Sequence, residues 1–125
     1  PEDLYVVREM TTKLGDKDRP EPDLMIVPRS ARKDSKQTFY DPGDIMLAIE
    51  VMSLESAKRD REIKPRMYAR AGIPHFWRVE PSGDLPVVYV YELDPATANY
   101  AISGIHHNEL KVPVPFPLVI DLTTL

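Results

Sequence analysis

The sequence predicts an α/β or α+β layout: a mixed β-sheet flanked by helices, with an additional C-terminal β-hairpin and a Pro-rich tail. Three observations carry this expectation. Apolar segments of strand length, rich in Val, Ile, Tyr and Phe, recur at residues 4–10, 24–27, 45–52, 75–80 and 86–93. Only one stretch, after Met52, has helix start and stop signals at both ends. The resulting order is strand, strand, strand, helix, strand, then a hairpin and tail, which suits a mixed sheet rather than repeated βα units.

Each element follows from local chemistry. Leu4 to Met10 reads as a strand, and the polar stretch from Lys13 to Glu21 holds Gly15, Asp16 and Pro20 as turn formers. Leu24 to Val27 is a second strand, begun by Pro22-Asp23 and stopped by Pro28. Arg29 to Asp44 is polar and ends in the turn Asp41-Pro42-Gly43-Asp44, so it reads as a surface loop with room for a short helical turn. Ile45 to Met52 is the third strand. Ser53 or Ser56 offers an N-cap and Glu55 an acidic first turn for a helix reaching about Ala71, where Gly72 and Pro74 stop it. Pro65 lies inside that helix and is expected to kink or split it.

His75 to Glu80 is a fourth strand, with Phe76 and Trp77 on opposite faces. Pro86 to Leu93 and Asn99 to Gly104 form the arms of a hairpin closed by Asp94-Pro95-Ala96-Thr97. Leu110 to Leu125 alternates Pro with Val, Phe and Ile, as an edge strand or an extended wrapping segment does.

With 125 residues the chain is expected to form a single domain over residues 1–125. It opens at Pro1 without a methionine, from which an upstream portion is expected to be missing. No apolar run is long enough to span a bilayer and no signal segment opens the chain, so a cytoplasmic location without membrane partners is the expectation. The absence of cysteine excludes disulfides, thiolate metal sites and a Cys nucleophile. A net charge of -4 argues against indiscriminate polyanion binding. Basic residues nevertheless gather at Lys58, Arg59, Arg61, Lys64, Arg66 and Arg70, a local zone able to face phosphates.

Glu50 is the anomaly, a carboxylate inside the apolar run Ile45 to Met52. Left alone and ionised in a strand buried on both faces, it would cost several kcal/mol, so a partner, a proton, a metal or solvent must meet it. If strands 24–27 and 45–52 pair antiparallel, Asp23 at the start of one converges with Glu50 at the end of the other. Two converging carboxylates ask for a cation between them, and hard oxygen ligands with space for water and phosphate suit magnesium, with manganese as its substitute. The backbone carbonyl of Val51 is a further candidate ligand. Lys64 arrives from the following helix, carrying positive charge to the same rim. A solvated pair of Lys64 with Asp60 is the structural alternative for that lysine.

Taken together, Pro22-Asp23, Ala48-Ile49-Glu50-Val51 with Ser53, Asp60 with Lys64, Tyr68, Gly72-Ile73-Pro74 and Phe76-Trp77-Arg78-Val79-Glu80 resemble the Uma-two family of endonucleases. That family lies within the PD-(D/E)XK restriction-endonuclease-like superfamily, and the likeness runs over roughly residues 4 to 125. It implies a restriction-endonuclease-like fold and a magnesium-dependent, DNA-cleaving site. In that reading Asp23, Glu50 and Lys64 are catalytic, and Asp23, Glu50 and Val51 hold the metal. Ser53, Asp60 and Tyr68 support them, while Lys58, Arg59, Arg61 and Arg66 meet DNA. The superfamily lysine two residues after the acid is Met52 here, so Lys64 is its substitute. The superfamily core also begins with a helix, which is expected to lie in the portion missing upstream of Pro1.

Other constellations carry less. Adjacent His106 and His107 point to opposite faces of an extended segment and cannot readily chelate one metal. Ser53 has no nucleophile-elbow glycines around it. Tyr89 and Tyr91 share a strand face, as core or interface packing requires. The alternative to an endonuclease is a non-catalytic module that binds nucleic acid or protein on a nuclease scaffold. The tyrosine strand and Pro-rich tail could also pair two copies in a homodimer.

Overall fold

The computed structural model describes residues 4–8, 11–12, 23–31, 39–52 and 57–124, with only the backbone described for residues 5, 7, 8, 11, 12, 39 and 57–61. Six strands build the main sheet: β1 (Leu4–Arg8), β3 (Leu24–Pro28), β5 (Leu47–Val51), β6 (His75–Ser82), β7 (Leu85–Asp94) and β8 (Asn99–His106). They lie side by side in that order. All neighbours are antiparallel except β5 and β6, which are parallel and joined through α1 (Ala57–Arg70). Among the described residues α1 is the one α-helix. Two small sheets complete the fold, β2 (Thr11–Thr12) with β4 (Phe39–Tyr40), and β9 (Glu109–Val112) with β10 (Leu118–Asp121).

Strand alternation separates two cores. Met25, Val27, Ala48 and Phe76 turn to the face covered by α1, where Tyr68 and Ile73 meet them. Ile26, Leu47, Ile49, Trp77, Val88 and Val90 turn to the other face, which Leu110, Val112 and Leu122 cover. The tail is therefore a strand pair closing the second core, more ordered than a single wrapping segment. Phe76 and Trp77 fall on opposite faces, as the alternation requires. Because β5 is covered on both sides, four of its five residues are buried, which is why its sequence runs apolar without alternation.

The turns set the registers. Gly83, at φ 63°, opens the two-residue loop between β6 and β7, a position that favours glycine. Asp94 closes the β7–β8 loop by accepting the amide of Ala96 through Oδ1 and that of Ala98 through its carbonyl.

Two expectations need correction. α1 runs as one element through Pro65 and is not split. The proline removes one backbone donor, but buried Tyr68 and Ala69 hold the following turn against the sheet. The segment from Arg29 to Asp44 is also more than a polar surface loop. Its described residues include two short 3-10 helices and β4, and Ala31 and Tyr40 are buried in the core.

Candidate active site at the end of strand β5

The site forms where β3 begins, β5 ends and α1 crosses above them. Register pairs Leu24 with Ile49 and Met25 with Ala48. One step further along the same antiparallel ladder brings Asp23 opposite Glu50. The Val51 amide donates to Asp23 Oδ2 at 2.7 Å. This charge-assisted bond fixes the aspartate at the rim of the sheet.

Glu50 is only 1% exposed. Strand alternation turns it, like Ala48, towards α1. Oε1 accepts the hydroxyl of Tyr68 at 2.5 Å, and Oε2 lies 3.4 Å from Nζ of Lys64. The i, i+4 spacing on α1 delivers both partners to one carboxylate. The end of the helix fixes that alignment. Gly72 sits at φ 86°, the Ile73 amide donates to the Tyr68 carbonyl, and the Gly72 amide donates to the Ala69 carbonyl. This is the paired closure of a Schellman motif, and Tyr68 and Ile73 join the same core cluster. The stop signal read at Gly72 thus also anchors the residue that binds Glu50.

The first three sequence candidates, Asp23, Glu50 and Lys64, therefore gather at one rim with Tyr68 and the Val51 backbone. Met52, at the position of the superfamily lysine, is buried and its amide donates to the Val79 carbonyl. Arg66 is exposed on α1. Ser53 lies outside the described residues, and so do the side chains of Lys58, Arg59, Asp60 and Arg61.

Sequence reasoning gave Arg78 no role in the site. Register aligns it with Glu50 on the parallel neighbour β6, and its guanidinium lies over the Tyr89 ring, 4.5 Å from the centroid. Its Nε is 2.8 Å from Glu80 Oε2, an ion pair by distance in which the N–H is not directed along the contact. The signal was available in the strand itself: residues 76, 78 and 80 alternate onto one face, so Arg78 and Glu80 follow Phe76 towards α1.

The chain matches, over residues 1–124, the model of a family called Uma2, described as "Putative restriction endonuclease". No curated protein matches it at a significant level. Among solved structures it resembles one from Anabaena variabilis described as "a putative nuclease belonging to DUF820", with a TM-score of 0.65 and 16% identity. The match covers 90% of this chain and 60% of that one, so the chain spans less than two thirds of the length of its structural relative. At that identity the likeness establishes the fold, a mixed α+β nuclease-type core.

Proposed function

The chain belongs to the Uma2 family, and from that membership and the setting of Glu50 we propose that it is a metal-dependent endonuclease that hydrolyses DNA phosphodiester bonds. The observation that carries the reading is a nearly buried carboxylate, hydrogen-bonded by Tyr68 and ion-paired with Lys64, beside a second carboxylate at an open strand end. A buried ion pair with a purely structural role could be replaced as a whole by apolar side chains at little cost.

The donor set fits a hard divalent cation. Asp23, Glu50 and the Val51 carbonyl are oxygen ligands of the kind magnesium takes, with water and substrate phosphate completing six positions. Among the described residues no group of three or more His, Cys, Asp or Glu converges, so half of that shell falls to solvent and substrate. When bound, the cation acidifies a water and offsets the charge that develops on the phosphoryl oxygens.

The chain's own residues supply positioning and charge. The Val51 amide holds Asp23 at one oxygen and leaves the other for a ligand. Tyr68 fixes the rotation of the Glu50 carboxylate. Lys64 balances Glu50 before substrate arrives and stabilises the phosphate during attack. Ser53 and Asp60 support this set, and Lys58, Arg59, Arg61 and Arg66 extend positive charge along α1 for the DNA backbone.

The test is nicking of supercoiled plasmid by the protein with magnesium or manganese, beside the same reaction in EDTA and a parallel RNA substrate. Metal-dependent nicking supports the reading; cutting that persists unchanged in EDTA contradicts it. Met52 favours a second reading, a non-catalytic module on the nuclease scaffold, which predicts DNA binding indifferent to chelator and no cutting at all.

A further inference from the structure

A cavity of about 370 Å³ lies between α1 and strands β6, β7 and β8, on the same face of the sheet as Glu50 but on the other flank of the helix. Lys64 and Tyr68 turn to β5, whereas Glu62, Pro65, Arg66 and Ala69 line this second hollow. We propose that the cavity is a nucleotide subsite, holding one phosphate on Arg66 and Arg78 and one base against the aromatic wall formed by Tyr91 and Tyr100. The proposal rests on the nuclease reading for its substrate, a DNA strand whose neighbouring phosphate lies at Glu50.

The wall chemistry selects this ligand class. Two arginines face the cavity, and among the described residues neither Arg66 nor the terminal nitrogens of Arg78 have a protein acceptor. Glu62 lines the same cavity one helical turn before Arg66, yet the two form no ion pair. Glu62 and the Glu80 paired with Arg78 balance the two arginine charges, but Arg66 and the terminal nitrogens of Arg78 still offer donors suited to phosphate. The sheet side of the cavity is aromatic, with the Tyr91 and Tyr100 planes inclined at 55°, so a base stacks on one ring and meets the other at an angle. Phe76 and Tyr100 stack at 5.4 Å between centroids with 22° between planes, Tyr91 sits 5.7 Å from Phe76, and the Tyr100 hydroxyl donates to the Ile73 carbonyl at 2.8 Å. Asn99, exposed at the mouth, offers an amide donor and acceptor to a base edge. The volume lies near the lower end of the roughly 300–1,000 Å³ that small-molecule sites span, which admits one nucleotide and no duplex.

Register links this hollow to the proposed catalytic rim. Arg78 is the cross-strand partner of Glu50 and also lines the cavity, so a strand with one phosphate at Glu50 can set an adjacent nucleotide beside Arg78.

The experiment measures binding of thymidine 5′-monophosphate, thymidine and inorganic phosphate to the protein in EDTA, and competition of the monophosphate with a fluorescent single-stranded oligothymidylate. Arg66→Gln is expected to weaken monophosphate binding about tenfold, as loss of a charge-assisted phosphate contact does. Glu62→Gln is expected to tighten it, and Lys111→Gln, on β9 at the other face, to leave it unchanged. Thymidine and phosphate alone bind more weakly than the monophosphate. Binding insensitive to both Arg66→Gln and Glu62→Gln overturns the subsite. Monophosphate binding that does not displace the oligonucleotide overturns its role in holding a strand. The nuclease reading fails separately, through cutting that survives Glu50→Gln, because the binding arms need neither metal nor turnover.

Discussion

Tyr68 donates its hydroxyl to Oε1 of Glu50 at 2.5 Å, joining α1 to β5 beside the apolar cluster that Tyr68 shares with Ala48 and Phe76. Both residues are essentially withdrawn from solvent. A hydrogen bond to a charged group contributes about 1.5–3 kcal/mol, and removing its donor leaves an acceptor short of a partner. Tyr68→Phe is therefore expected to lower the unfolding free energy by about that amount, measured by urea denaturation with an unchanged slope.

Lys64 is coupled to the same carboxylate. Removing it leaves Glu50 buried with less compensation, so Lys64→Met is expected to destabilise the fold by roughly 1–3 kcal/mol, moderated because the lysine side chain is 22% exposed. Glu50→Gln removes the charge that needs the lysine. In a double-mutant cycle the combined variant should lose less stability than the sum of the two single changes. Additive losses would mean that the 3.4 Å contact carries no coupling.

Metal binding to the native state alone raises apparent stability. The melting temperature is expected to rise with millimolar magnesium or manganese and to return on adding EDTA. Asp23→Asn and Glu50→Gln should each remove most of that rise. An equal shift in all three proteins would assign the metal to other groups.

His75 provides a pH signature away from the site. Burial holds its pKa below the ordinary 6.5, with Glu92 opposing that shift. The unfolded chain therefore binds a proton near pH 6.5 that the folded chain resists, so stability falls as pH drops from about 6.5 through the lower folded value and levels off beneath it. Melting temperatures between pH 8 and pH 5 should show this slope, and His75→Gln should flatten it.

Glu50 could be singled out from sequence because an acid inside a strand-length apolar run conflicts with burial, and Asp23 because an antiparallel neighbour must bring its first residue to that point. Both arguments are local in the chain or one ladder step from it. Lys64 and Tyr68 entered as site residues through the family resemblance, with helical spacing placing them on one face, and Gly72 marked the end of the helix. What the sequence could not disclose depended on contacts between distant elements. The pairing of β9 with β10 over Trp77 was hidden because prolines at 113, 115 and 117 resemble an irregular tail. The alignment of Arg78 with Glu50 needs the parallel register of β5 with β6, which only the packing of α1 against the sheet determines. Pro65 does not split α1 for the same reason, since its local penalty is outweighed by burial of the turn that follows.

The most direct measurement is the single-turnover rate of DNA cleavage by Glu50→Gln beside the unaltered protein, at saturating magnesium and equal folded fraction. In the proposed role of metal ligand, loss of the Glu50 carboxylate is expected to slow cutting by at least about 10²-fold, a loss of the size seen when one stabilising group is taken from a preorganised site. Cleavage at the unaltered rate by Glu50→Gln would contradict the assignment of Glu50 to the catalytic centre.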